Sequence, residues 1–272
     1  LLGKSGLKVS EFSLGTMTFG LPSWGCDEAE SASIYAAYRD AGGNFLDTAN
    51  ETYGGGASEE ILGRLTSSHR PDIVLATKYG DHPAQRDPNR AGNHRKSMVQ
   101  CLERSLGRLH TEYIDILWLH AWDFWTPIEE VLRGLDDLVR SGKVLYIGIS
   151  NTPAWIISRC QAIAELRGWM PFVATQICYN LIERTAEREL LPMARELGLA
   201  VCAWSPLGNG VLTGKYTNPT YAEAPRRLDT FEWLKLDDRQ AQLGSLIAEI
   251  AKRNGHTAAQ VSLAWLRRRN VI

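Results

Sequence analysis

The polar residues of this 272-residue chain that could do chemistry sit at the ends of short apolar runs. Asn44-Phe45-Leu46 leads into Asp47, Ile73-Val74-Leu75-Ala76-Thr77 into Lys78, and Ile114-Asp115-Ile116-Leu117-Trp118-Leu119 into His120. Tyr53 follows Asp47 in the next loop. A lysine beside an aspartate holds a positive charge. Next to a tyrosine hydroxyl, that charge stabilises the ionised form and draws its pKa from about 10 towards neutrality. Each residue also has a plainer reading: Asp47 and Lys78 as a buried ion pair, His120 as a satisfied core histidine, Tyr53 as a loop tyrosine packed on Pro or Trp. Three polar strand ends brought to one place favour the chemical reading. A strand-end lysine can alternatively be a Schiff-base nucleophile, which would make the chain an aldolase.

The elements that must position these residues follow one recurring pattern, a short apolar strand, a polar loop and an amphipathic helix. Strands are predicted over 11–20, 44–49, 73–78, 114–120, 144–150, 171–177 and 199–204. Helices are predicted from about 58, and over 94–109, 127–141, 153–166, 186–197, 238–254 and 257–268. Pro127 suits a first turn, Glu129 and Glu130 a helix N-terminus, and Gly142 a stop. The strands are continuous apolar runs, as expected where both faces are covered. Near-even spacing of roughly 30 residues per unit favours a closed (β/α)8 TIM barrel, an α/β fold, over a doubly wound sheet. In that barrel active-site residues lie at the C-terminal strand ends. Asp47, Lys78, His120, Ser150-Asn151, Gln176 and Trp204 would then share one mouth. Residues 1–10, with Lys4-Ser5-Gly6 as a turn, read as an N-terminal β-hairpin. A long irregular loop runs from Trp204 to Leu236 through Asn218-Pro219, Pro225 and Arg226-Arg227. Val271-Ile272 look like the first residues of strand eight, so the barrel is read as a single domain over 1–272 with strand eight and the C-terminal tail truncated or missing.

Composition narrows the function classes. The net charge of −1 offers no electrostatic footprint for nucleic acid or an anionic membrane. No apolar run approaches the roughly 20 residues that cross a bilayer. Leu1-Leu2-Gly3-Lys4 does not have the form of a secretion signal. Five scattered cysteines, never in a C-x-x-C pair, read as reduced thiols of a cytoplasmic protein. His69, His82, His94, His110 and His256 have no metal-ligand spacing, so no metal is expected. Gly54-Gly55-Gly56 is not a dinucleotide fingerprint, and Gly214-Lys215-Tyr216 is not a P-loop. Nine tryptophans can fill a core or line a pocket for flat ligands.

The stretch from Asp47 through Tyr53 to Glu60 resembles the signature around the catalytic Asp and Tyr of the aldo-keto reductases. Ala76-Thr77-Lys78 and Trp118-Leu119-His120 resemble that family's Lys and His strands. Gly148-Ile149-Ser150-Asn151 and Gln176 resemble its nicotinamide carboxamide ligands, and the run from Trp204 to Lys215 its pyrophosphate loop. Leu14-Gly15-Thr16-Met17 resembles its first barrel strand, which touches nicotinamide. The resemblance runs in order along the whole chain.

It implies an NADP(H)-dependent oxidoreductase that passes hydride to an aldehyde or ketone. Tyr53 would be the general acid, Lys78 held by Asp47 would lower its pKa, and His120 would orient the carbonyl. Gly15, Thr16, Met17 and Asp47 would line the nicotinamide; Ser150, Asn151 and Gln176 would fix its carboxamide; Trp204 would stack on its ring. Ser205, Pro206, Leu207, Gly208, Gly210 and Lys215 would run along the pyrophosphate. A cofactor-binding regulatory protein that turns over slowly, as the potassium-channel β subunits of this family are, is the other reading. Two departures stand out. The family usually has one fewer residue between its Asp and Tyr, and its segment for the adenosine 2′-phosphate lies beyond strand eight. The aromatic run Ala121-Trp122-Asp123-Phe124-Trp125, with Trp24, reads either as a wall for an apolar or aromatic substrate or as local loop packing. Trp24, Trp122 and Trp125 therefore join Tyr53 and His120 as substrate-contact candidates. The expected partner is a small carbonyl compound, with neither nucleic acid nor membrane.

Overall fold

Strands form where β-branched and aliphatic residues run together, and helices begin where a capping residue follows. The computed structural model describes residues 1–81, 87–216, 228 and 236–272. Its first strands and helices alternate: β1 (Ser13–Gly15), α1 (Glu28–Asp40), β2 (Phe45–Asp47), α2 (Ala57–Thr66), β3 (Val74–Tyr79), α3 (Arg95–Leu109), β4 (Ile114–Leu119) and α4 (Ile128–Arg140). They continue as β5 (Val144–Ser150), α5 (Ala154–Arg167), β6 (Ala174–Cys178), α6 (Leu190–Leu197) and β7 (Ala200–Trp204). Two further helices are α7 (Asp238–Arg253) and α8 (Ala258–Arg267). The sheet holds its seven strands in chain order. The ladders from β1 to β5 are parallel, with Gly15 opposite Asp47, Asp47 opposite Ala76, and Lys78 opposite Trp118. Every residue of β2, β3 and β4 is buried, which explains their unbroken apolar character.

The described residues fall into two compact units, Leu1–Thr175 with Met193–Ala200, and Gln176–Pro192 with Val201–Ile272. In the first unit each helix start has a local cause. Asp27 caps α1 by accepting from the Glu30 amide, and His94 caps α3 through the Ser97 amide. α1 is missing from the sequence-based elements, although Asp27 followed by Glu28 and Glu30 is a capping signal. Pro127 and Pro153 stand just before α4 and α5, and Gly168 ends α5 at φ +63°.

The N-terminal hairpin is corrected. Residues 1–10 carry no strand. The Leu2 amide closes a turn onto the Leu7 carbonyl (2.9 Å), but no ladder extends from that bond, and the Lys4 amide turns away to donate to the Gly198 carbonyl (3.0 Å). Gly3, at φ +55°, lies so close to the Val173 carbonyl that a Cβ would sit 2.2 Å from it.

In the second unit, α7 and α8 each open on a capping box, Asp237 with Gln240 and Thr257 with Gln260. Leu212, Ile247, Ala251 and Ala258 form its apolar core. Ile272 donates to Val201 (2.9 Å) and accepts from Ala203 (2.8 Å), the bond pattern of a parallel ladder beside β7. Asn218-Pro219, Pro225 and Arg226-Arg227 of the predicted long loop, and His82, lie outside the described residues. The five cysteines form no disulfide; Cys26, Cys101, Cys160 and Cys202 are buried and Cys178 partly so. Among the described residues no helix is long and apolar enough to cross a membrane, and no cluster of His, Cys, Asp and Glu is disposed to hold a metal.

Candidate active site

The parallel register carries Asp47 and Lys78 to neighbouring strand ends. Lys78 Nζ lies 2.5 Å from Asp47 Oδ2 and 2.7 Å from the Thr48 carbonyl, and the lysine is 1% exposed. Its third proton partner is the Tyr53 side chain. Burial pulls the lysine pKa down. The charges of Asp47 and Tyr53 and the hydrogen bonds to both push it up further, so the net direction is above the ordinary lysine value. Lys78 therefore stays an ammonium at neutral pH, with its charge against a tyrosine whose ring centroid is 5.1 Å away.

His120 follows β4. Its amide donates to the Tyr79 carbonyl (2.8 Å), and its own carbonyl accepts from Asn151 Nδ2 (2.8 Å). The ring lies edge-on to Tyr53. Burial, and then the Lys78 charge, lower its pKa to about 3, so it is a neutral imidazole. Nδ1 has no hydrogen-bond partner among the described residues; the Asp81 carboxylate is 3.9 Å from it.

Residues 50–53 deliver the tyrosine by a tight turn. The Tyr53 amide donates to the Asn50 carbonyl (3.1 Å), and Asn50 Oδ1 accepts from the Thr52 amide (3.1 Å) and hydroxyl (2.7 Å). The turn brings the Tyr53 ring against Lys78. Gly54, Gly55 and Gly56, at φ +61°, +68° and +105°, then lead into α2 by a left-handed path that residues with a Cβ rarely take.

Of the expected cofactor residues in the first unit, Thr16 is already committed. Its hydroxyl is 3.1 Å from the Asp47 carbonyl and 2.8 Å from Ser58 Oγ, which ties β1 to β2 and α2. A Cβ on Gly15 would meet nothing within 4 Å, and Met17 follows in the turn after β1. Ser150 Oγ is fully buried and has no partner among the described residues. A buried hydroxyl left unpaired costs on the order of 1–3 kcal/mol, so it fits a site that receives a polar ligand group. Asn151, beside it, is left-handed at φ +45°.

In the second unit Gln176 is buried on β6, and Trp204 ends β7 with its indole partly exposed. Pro206 and Leu207 follow, and Ser205, Gly208, Asn209 and Gly210 all have positive φ, within a turn whose Ser205 carbonyl is held by Asn180 Nδ2 (2.9 Å). Lys215 folds back over this turn: a Cβ on Gly210 would lie 2.6 Å from its Cε. An exposed flat indole beside a glycine-bearing turn with a lysine fits a nicotinamide nucleotide.

The aromatic loop divides. Trp122 is buried, 8% exposed, whereas Trp125 is 90% exposed and Phe124 66% exposed at φ +60°. Trp24 is half-buried. Asp123 fixes this loop: its carboxylate accepts from the amides of Asn93 (2.8 Å), Trp125 and Thr126 (both 2.9 Å) and from the Thr126 hydroxyl (2.7 Å). The aromatic run, Phe124 included, is visible in the sequence; the Asp123 clamp that shapes it is not.

The parallel α/β sheet, with a buried lysine–aspartate pair at its strand ends, is that of an oxidoreductase. The chain is a member of the aldo/keto reductase family, whose sequence profile matches residues 11–272. Such enzymes act on small-molecule carbonyls with nicotinamide cofactors. Over 277 residues it is 35% identical to a norsolorinic acid reductase of Aspergillus flavus, covering 98% of this chain and 69% of that one. It is also 35% identical to an aryl-alcohol dehydrogenase of Pestalotiopsis microspora, covering 98% and 70%. To an uncharacterized oxidoreductase of Bacillus subtilis it is 38% identical, covering 97% and 82%.

Proposed function

We propose that the protein reduces the carbonyl of an aromatic aldehyde or ketone with NADPH, and that Tyr53 donates the proton. The observation that carries this reading is the buried Lys78 ammonium, bonded at once to Asp47 and to Tyr53. When bound, NADPH supplies the hydride. Tyr53 gives its hydroxyl proton to the carbonyl oxygen as that oxygen gains charge, and Lys78 stabilises the phenolate left behind. Neutral His120 offers the carbonyl a hydrogen bond rather than a full proton. Lys78 is a poor Schiff-base nucleophile here, because its pKa is raised and it stays protonated.

Ser150, Asn151 and Gln176 are proposed to fix the nicotinamide carboxamide, Trp204 its ring, and Ser205 to Lys215 its phosphates. The preference for NADPH over NADH rests on the family resemblance. The aromatic substrate class is supported by the exposed Trp125 and by the name of the aryl-alcohol dehydrogenase of Pestalotiopsis. Strands in chain order support one (β/α)8 barrel domain, and five cysteines without a disulfide support a cytoplasmic setting.

The test is NADPH consumption across a panel of aromatic and aliphatic carbonyls by the parent and Tyr53→Phe. The variant should lose on the order of 100-fold or more in kcat with NADPH affinity unchanged. A Tyr53→Phe enzyme with near-parent kcat would overturn the assignment.

A further inference from the structure

The turn over residues 50–53 is anchored on its outer side by a cluster of charges that the chemistry above does not use. Glu51, at its tip, meets three guanidinium groups: Arg104 Nε at 2.9 Å, Arg108 Nη1 at 3.2 Å and Arg90 Nη2 at 3.3 Å. Arg108 reaches further. Its Nε donates to Glu59 Oε2 (2.7 Å), and the other oxygen of this fully buried carboxylate accepts from Thr77 Oγ1 (2.6 Å). Thr77 and Lys78 are consecutive on β3.

The strand that carries Lys78 is thus joined to the turn that carries Tyr53 by two paths. One runs through the site, from Lys78 to Tyr53. The other runs behind it, from Thr77 through Glu59 and Arg108 to Glu51. The rear path needs room at Gly56: a Cβ there would lie 2.8 Å from Arg108 Cδ. Charge-assisted bonds to a largely buried carboxylate are stronger and more directional than surface ion pairs. An arrangement of three cations around one glutamate is more than a polar turn needs to stay in water.

We propose that Glu51, clamped by Arg90, Arg104 and Arg108, is a positioning residue that holds the Tyr53 hydroxyl against Lys78. The proposal rests on the reading of Tyr53 as proton donor. A displacement of a reacting group by about 1 Å can cost on the order of 100-fold in rate. Glu51 sits on the turn that carries Tyr53, so its loss should lower kcat far more than it weakens cofactor or substrate binding. It should also loosen the contact that stabilises the phenolate, moving the alkaline limb of the kcat profile to higher pH.

The experiment uses the full chain, NADPH and the best carbonyl of the panel. Glu51→Gln and Glu51→Ala are made in the parent and in Tyr53→Phe, with urea midpoints checking the fold. Glu51→Ala should lower kcat roughly tenfold or more with KM and NADPH affinity within about twofold, and Glu51→Gln should fall between it and the parent. In the Tyr53→Phe background neither substitution should lower the residual rate further, because a residue that acts through Tyr53 has nothing left to position. Parent-like kcat in Glu51→Ala, or an equal fractional loss in both backgrounds, overturns the proposal. A parent-like rate in Tyr53→Phe alone overturns the proton-donor reading instead, and the positioning role falls with it. If Glu51→Ala does not fold, Glu51→Gln carries the same comparison.

Discussion

The Tyr53 and His120 rings meet edge to face, with centroids 6.3 Å apart and planes at 87°. Only one of the two has a cation bonded to it. Lys78 donates to Tyr53, while the same ammonium disfavours a second positive charge on His120. Burial and then this charge keep His120 a neutral imidazole, and under the proposed mechanism the two groups take different roles, Tyr53 as proton donor and His120 as hydrogen-bonding partner.

The pH dependence of stability should show this. The folded-state pKa of His120, about 3, lies below the ordinary 6.5, so between these values the unfolded chain binds a proton that the folded chain refuses. The stabilisation is present above about 6.5 and is lost as pH falls towards 3. Urea unfolding at pH 7 and pH 5 should give a smaller drop for His120→Gln than for the parent. Equal drops would show that the imidazole titrates freely in the folded protein.

The Asp47–Lys78 pair should behave as a buried unit. Lys78→Met leaves a carboxylate at the strand ends without its cation and should cost about 3 kcal/mol or more. The double variant Asp47→Asn/Lys78→Met should be more stable than the sum of the two single losses implies. Additive losses in a double-mutant cycle of urea unfolding would argue that the two charges do not depend on one another.

The aromatic loop should owe its shape to Asp123. With Asp123→Ala the Trp125 and Thr126 amides lose their acceptor. Phe124 then has no reason to keep a left-handed backbone that costs on the order of 1–3 kcal/mol. Hydrogen exchange over residues 121–126 should quicken. KM for aromatic carbonyls should rise several-fold, with little change in kcat. Unchanged exchange there would mean that the loop is held by its aromatic packing.

Residues that end strands were readable because polarity interrupts an apolar run there: Asp47, Lys78 and His120 announce themselves. Tyr53 is legible through its neighbours in sequence, but nothing in Asn50-Glu51-Thr52 tells that the Asn50 side chain closes the turn that carries it. Glu51, Glu59 and Arg108 escaped notice because their partners are distant in sequence, and a surface glutamate has the same letter as a clamped one. Trp122 and Trp125 could not be told apart, since which ring turns inward depends on the Asp123 carboxylate. Residues 1–10 have a turn where a hairpin has one, yet their backbone bonds reach Gly198, a contact no local pattern contains.

The buried thiols bear on a hazard of carbonyl chemistry, attack of a sulfur nucleophile on an electrophilic substrate. Enones and quinones alkylate thiolates, aldehydes add to them reversibly, and burial raises the thiols of Cys101 and Cys178 to about 11 and Cys160 to about 12. At neutral pH about one such thiol in ten thousand, or fewer, is in its nucleophilic form. These three sulfurs would therefore meet an electrophilic carbonyl compound as protonated thiols, the unreactive form.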